Sequence, residues 1–270
     1  MRADGVLPAL SLIPYAFFLV SAVYIYVSLV RQIIARETEP TVAPVRKFGW
    51  PEAILACLLA LLFLGPVLMA PPSHPPIIQN RDLITNALFT LAMLLGIAGF
   101  LRLRRFDLNA LGGFSKIGFF RTVVTGSVLM LAAYPLIFLA DIITQRLISD
   151  APRKQEIVEL FNGSGTLEQR VLIIILAVSI APLVEEFIFR FFIYGVLKRY
   201  FGQSLGIIVS SLLFAAVHAH LPSFAPLFVL GTCFAIAYEW SGSLLVSMTM
   251  HALFNALTLT ALAFPERFPQ

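Results

Sequence analysis

The sequence predicts an all-α, polytopic integral membrane bundle of about eight transmembrane helices, and three observations carry that expectation. The 270 residues are 59% hydrophobic and only 13% charged. Mean hydropathy is +0.89, and short basic or breaker-rich segments divide the chain into long uncharged runs. An ordinary soluble domain carries about 25% charged residues, so this composition belongs in lipid. The runs are Val6 to Val30, Ala53 to His74, Leu83 to Leu101, Thr122 to Ala140, Val171 to Val184, Gln203 to Tyr238 and Trp240 to Pro265. About 20 apolar residues cross the hydrocarbon core, so these runs make eight crossings if Gln203–Tyr238 is split. The split falls in HAHLPSFAP, where Pro222 and Pro226 interrupt the helical period.

The first run follows Arg2 but is long and ends in ARETEP without a small-residue cleavage signal, so it reads as a retained helix. APPSHPPIIQN reads as a turn between the second and third helices. RLRRFDLNALGGFSKIGFFR reads as a basic amphipathic connector lying along the interface, its Phe and Leu side chains toward lipid. In the most polar stretch, DAPRKQEIVELFNGSGTLEQR, QEIVELF suits a short amphipathic helix ending at Asn162 and Gly163, and NGS matches a glycosylation acceptor. With no internal repeat, the expected division is one integral membrane domain, 1–270. Its helices over 1–140 are scaffold, and the functional core lies over 155–263.

The net charge of +4 is explained by membrane anchoring rather than by nucleic acid. Arg31, Arg36, Arg46, Lys47, Arg102, Arg104, Arg105, Lys116, Arg121, Lys198 and Arg199 fall on one side of the eight-helix reading, which the positive-inside rule makes cytoplasmic, with both termini outside. The expected partner is the lipid bilayer, with no nucleic acid. Cys57 and Cys233 each sit in an apolar helix and form neither a disulfide framework nor a CxxC site.

Function is expected where charge enters the apolar pattern. VLIIILAVSIAPLVEEFIFRFFIYGVL carries Glu185, Glu186 and Arg190, and charges at such depth face a protein interior or a wet cavity. At about 100° per residue, Glu186 and Arg190 share a helix face and can pair, which makes them supporting residues. Glu185 points elsewhere and is the candidate working carboxylate, a general base toward water. FAAVHAHLPSF supplies His218, with Phe214 one turn earlier to pack against its ring; His220 lies off that face and reads as a helix-end histidine. HALFN places His251 and Asn255 one turn apart on the last helix, a pair suited to clamp an oxyanion. Glu239 reads as a loop charge or helix-end partner. The set fits amide hydrolysis by water, with Glu185 and His218 activating it and His251 and Asn255 stabilising the oxyanion.

This pattern resembles the CPBP family of intramembrane proteases, the CAAX prenyl protease and bacteriocin-processing or Abi family. The likeness rests on EExxxR at Glu185, Glu186 and Arg190, FxxxH at Phe214 and His218, and HxxxN at His251 and Asn255. It covers roughly Gln155 to Ala263. The resemblance implies a helical membrane endopeptidase with a pocket below the membrane surface, in which Glu185 and His218 activate water and His251 and Asn255 line the oxyanion site. It further implies a membrane-associated protein or peptide as substrate, and location in the cell (inner) membrane of a prokaryote. The family was long described as metal-dependent, but this chain has no HExxH, so no cofactor is expected and zinc has no support in the sequence. The rival readings are a membrane transporter, because acidic and histidine residues in spans also form relays, and a non-catalytic bacteriocin-immunity-type interaction protein. Oligomeric state and substrate are left open.

Overall fold

The computed structural model describes residues 6–37, 48–68, 79–148 and 166–264. Among them the chain is helical apart from short turns, with no strand. Helix α1 spans Val6–Glu37, α2 Trp50–Leu68, α3 Asn80–Leu103, the short α4 Leu108–Gly112 and α5 Phe119–Leu147. The run Leu167–Ala216 forms α6, followed by α7, Leu221–Ser241, and α8, Leu244–Ala263. The expected QEIVELF helix, the NGS acceptor and most of the APPSHPPIIQN turn lie outside the described residues.

The predicted fold class is observed, and the distribution of side chains is that of a protein solvated by lipid. Tyr15, Phe17, Leu58, Leu61, Leu131 and many other large apolar side chains are exposed, while Glu186, Arg190, Ser211 and His251 are buried. This makes the chain an integral membrane protein. The count of eight crossings is not established, because length and composition single out six helices, with a shorter apolar stretch at Trp50–Gly65.

Within α6 the chain doubles back. Gly202 leaves helical geometry at φ 80°, ψ 172°, a left-handed region open mainly to glycine. A Cβ on Gly206 would stand 3.0 Å from the Lys198 backbone nitrogen, an approach that a straight helix does not permit. Residues 167–201 and 203–216 are thus antiparallel legs. The second leg has 14 residues, about 21 Å at 1.5 Å per residue, against a hydrocarbon core of about 30 Å. It returns alongside the first leg, with Phe214 against Phe189 and under the Arg190 guanidinium. The break between α6 and α7 falls at 217–220, just ahead of the prolines expected to make it: Pro222 sits in the first turn of α7 and Pro226 inside it.

Helix α7 packs against α1, α5, α8 and the second leg of α6, so the functional helices are surrounded by scaffold. Basic residues collect at one end of the bundle. Arg36 donates to the Trp240 carbonyl at 2.7 Å, Lys198 pairs with Glu239, and Lys116 lies against Gly242. Glu239, which also accepts from the Tyr194 hydroxyl at 2.7 Å, is a helix-end partner.

The connector departs from its expected place along the lipid interface. Phe106 is buried with its ring 5.2 Å from that of Phe48, and Leu108, Leu111 and Phe114 pack on the core. Of its Phe and Leu side chains, only Leu103 at the start and Phe119 and Phe120 at the far end are exposed. The segment is drawn inward because Gly113, at φ 60°, touches the Gly242 carbonyl at the α7–α8 turn where any Cβ would collide, and because the Tyr238 hydroxyl donates to the Leu111 carbonyl at 2.9 Å. The scaffold also holds a carboxylate that the sequence reading passed over. Glu52, fully buried, accepts from the Gly49 amide at 2.6 Å and from Arg104 Nε at 2.9 Å, tying the start of α2 to the end of α3.

Candidate active site

The first leg of α6 carries the two glutamates between two π-helical turns, Leu176–Ile180 and Phe187–Ile193. The Ala181 amide reaches back to Leu176 and the Tyr194 amide to Phe189, each skipping one carbonyl of the α register. Such bulges rotate the side chains that follow and leave backbone acceptors free.

Glu186 and Arg190 meet as the i,i+4 spacing predicts, with Arg190 Nη1 3.4 Å from Glu186 Oε1 and both side chains fully buried. The contact is at ion-pair distance without hydrogen-bond geometry. The guanidinium lies instead over the Phe214 ring, 4.0 Å from its centroid, with Phe234 at 5.3 Å. This cation–π packing is strongest where water is excluded.

Both glutamates address the same histidine. His251 Nδ1–H donates to Glu186 Oε1 at 3.0 Å, since a carboxylate can only accept. Its Nε2 faces Glu185 Oε2 at 3.9 Å. Glu185 does not point away from the Glu186 cluster, as helical spacing alone suggests, but approaches the other edge of the same imidazole. The two carboxylates differ in environment: the Glu185 side chain is 30% exposed and that of Glu186 is 0% exposed. Glu185 Oε2 is itself buried with no hydrogen-bond partner among the described residues. Its separation from Nε2 exceeds a direct hydrogen bond.

His218 joins this group through Phe214. Its ring lies 4.9 Å from the Phe214 ring, and Phe214 lies 5.9 Å from the His251 ring, so one aromatic side chain touches Arg190 and both histidines. The imidazole Nδ1–H donates to the Phe214 carbonyl at 2.7 Å, which leaves the Nε2 lone pair as an acceptor. A linear count of residues sets His218 at the outer end of its helix and His251 mid-helix. The short second leg removes this discrepancy, because about Gly202 position 218 falls opposite 186. Ala219, at φ 49°, makes the sharp turn that follows. His220 bonds Ser223 Oγ at 2.7 Å at the start of α7, a helix-end role.

Asn255 is on the same helix one turn past His251, and its amide Nδ2 donates to the Ala177 carbonyl at 2.7 Å. That carbonyl is free for a local reason. In the π register its donor would be residue 182, and Pro182 has no N–H. The sequence held this signal in Pro182. One amide hydrogen of Asn255 is committed and the other remains. Replacing Pro182 with alanine supplies the missing backbone donor, so Asn255→Ala should cost about 1 kcal/mol in the native background and markedly less beside Pro182→Ala. A double-mutant cycle of detergent unfolding measures the difference, and equal costs in both backgrounds would refute the assignment.

A resident divalent metal is a poor fit to these residues. Glu186 Oε1 is shared by Arg190 and His251, so a second cation would sit against a guanidinium. No three His, Cys, Asp or Glu side chains among the described residues are grouped as a metal ion requires.

A helical membrane bundle enclosing two glutamates, an arginine and two histidines around one phenylalanine defines a membrane protein of the carboxylate–histidine type. Residues 167–257, which hold all these groups, match the family model described as Rce1-like, type II CAAX prenyl endopeptidase. The chain is also 33% identical over 100 residues to the membrane-embedded CAAX protease MroQ of Staphylococcus aureus (strain USA300), over 34% of this chain and 40% of that protein. It thus spans less than half the length of this relative. No solved structure matches it. The EExxxR, FxxxH and HxxxN motifs all fall within residues 167–257, and these matches support the resemblance of that segment to the CPBP family.

Proposed function

We propose that the protein is an intramembrane endopeptidase of the CAAX protease type, hydrolysing a peptide bond in a membrane-associated protein or peptide by direct attack of water. The observation that carries this reading is the approach of Glu185 Oε2 to His251 Nε2, at 3.9 Å, with the other edge of His251 held by Glu186.

A water between those two atoms can donate to Glu185. His218, whose bare Nε2 is fixed by the bond of its Nδ1–H to the Phe214 carbonyl, can accept the second hydrogen. Glu185 takes the proton as the water oxygen bonds to the scissile carbonyl carbon. Negative charge then passes to the carbonyl oxygen. His251, carrying a proton on each nitrogen before and after the reaction, donates from Nε2 to that oxygen while Nδ1–H stays on Glu186, and the uncommitted N–H of Asn255 is the second donor. When the carbon–nitrogen bond breaks, Glu185 returns its proton to the leaving amine, giving one new carboxyl and one new amino terminus. Burial of Glu186 and Arg190 fixes this geometry before substrate arrives.

Purified protein in proteoliposomes with membrane-anchored peptides should release products whose new termini are read by mass spectrometry. His218→Ala should lower kcat by about 10²-fold or more, with the unfolding temperature close to wild type. Absence of any product from the wild-type protein, or full activity in His218→Ala, would overturn the proposal.

A further inference from the structure

Helices α2 and α3 are tied at one end, where Glu52 accepts from Arg104, but along the rest of their length each packs on α6 rather than closely on the other. A groove of about 370 Å³ runs between them. The buried Leu59 and Ile97 lie at its base and the exposed Ile54 and Leu58 at its rim. Gly96 leaves the α3 side open, since a Cβ there would meet nothing within 4 Å. Every residue that lines the groove is apolar. From Pro51 to Leu59 on α2 it is about 12 Å long at 1.5 Å per residue, a little under half of a hydrocarbon core of about 30 Å. That is the depth of one leaflet, so a single lipid chain fits its length.

One end of the groove carries charge and interfacial aromatic rings. On α3 the lining positions 93, 96, 97 and 100 keep helical spacing, and Arg104 is the next position on that face. Its Nε is held by Glu52 Oε1 at 2.9 Å, its Nη groups bond no described residue, and its side chain is 38% exposed. Arg102 and Arg105 are exposed as well. Around the end of α3 these three arginines outnumber the carboxylates, which are Glu52 and the Asp107 that caps α4. Beside Pro51, Trp50 is exposed with its ring 5.6 Å from that of Tyr200, a pairing of residues that collect at headgroup level. Apolar packing alone selects no occupant, because a lipid tail is as apolar as the leucines it touches. The headgroup decides, since a guanidinium matches phosphate oxygens with paired hydrogen bonds and basic residues at the surface favour anionic lipids.

We propose that the α2–α3 groove seats one anionic phospholipid of the bilayer, an acyl chain lying over Gly96 and the phosphate bound at the free Nη groups of Arg104. Glu52, by holding Nε, fixes the guanidinium for that contact. None of the candidate catalytic residues lines the groove, so the site stands independently of the proteolytic reading.

The test is native mass spectrometry of the full chain in detergent, delipidated and then titrated with phosphatidylglycerol or with phosphatidylcholine. The wild-type protein should retain one phosphatidylglycerol at least about fivefold more tightly than phosphatidylcholine, the discrimination of one well-placed cation. Gly96→Leu fills the groove and should weaken phosphatidylglycerol binding to the phosphatidylcholine level or below. Gly99→Leu is the control: a Cβ at Gly99 also meets nothing within 4 Å, but the residue does not line the groove, and binding should match wild type. Arg104→Lys keeps a cation for Glu52 and loses the planar fork, so it should narrow the preference between the two lipids. Equal affinity of the wild-type protein for both lipids overturns the proposal whether or not any variant folds, and so does wild-type phosphatidylglycerol binding in Gly96→Leu. A lipid-free dimer that Gly96→Leu dissociates would assign the groove to a second copy of the chain and equally overturn it.

Discussion

Glu185→Gln is expected to abolish cleavage while leaving the protein folded. Glutamine has the shape of glutamate and cannot take a proton from water, so the loss should be that of a general base, about 10²–10⁴-fold in kcat. The stability cost should be small. Glu185 Oε2 has no hydrogen-bond partner among the described residues, its side chain is partly exposed, and its nearest charged contact is His251 Nε2 at 3.9 Å. Glu186→Gln should behave oppositely, because Glu186 Oε1 receives both Arg190 and His251. Its loss should appear first as a lowered unfolding temperature. Measured side by side, rate and unfolding separate a working carboxylate from a supporting one in adjacent positions. A Glu185→Gln protein that cleaves at the wild-type rate would remove Glu185 from the chemistry.

The sequence made the glutamate–arginine pair and the membrane-spanning pattern legible because both follow from helical periodicity. Four residues on a helix bring Glu186 to Arg190 whatever surrounds them, and uncharged runs mark apolar helices without reference to their neighbours. The convergence of Glu185 and Glu186 on His251 was not legible in the same way. Helical spacing sets adjacent residues about 100° apart, and it took π-helical turns on either side of the pair, together with a histidine from another helix, to aim both at one ring. The depth of His218 was hidden for a related reason. Gly202 had no role in the sequence reading, and only its φ of 80° and the close packing of Gly206 on Lys198 show a hairpin there. The role of Asn255 was partly open to inference, since Pro182 guarantees an unsatisfied carbonyl nearby, while the identity of that carbonyl depends on the π register.

Arg190→Met is expected to destabilise the protein by about 3–5 kcal/mol, the range for removing one member of a buried ion pair. The reason is the group left behind more than the attraction lost. Glu186 has no exposure, its Oε2 has no partner among the described residues, and without the guanidinium its charge would be balanced only through His251. Methionine keeps much of the volume beside Phe214, so a cavity contributes little and the loss reports mainly on charge. Adding Glu186→Gln to Arg190→Met should therefore recover most of the stability, because a neutral amide oxygen still accepts from His251 Nδ1 and no uncompensated charge remains. Activity should not recover with it: the glutamine cannot balance a second proton on His251, which the oxyanion needs at Nε2. Detergent unfolding of the two single variants and the double variant measures the coupling, and a rate assay on the folded double variant measures the chemistry. An Arg190→Met protein within about 1 kcal/mol of wild type would show that Arg190 is not the counter-ion of Glu186. A fully active double variant would show that the charge of Glu186 serves only the fold.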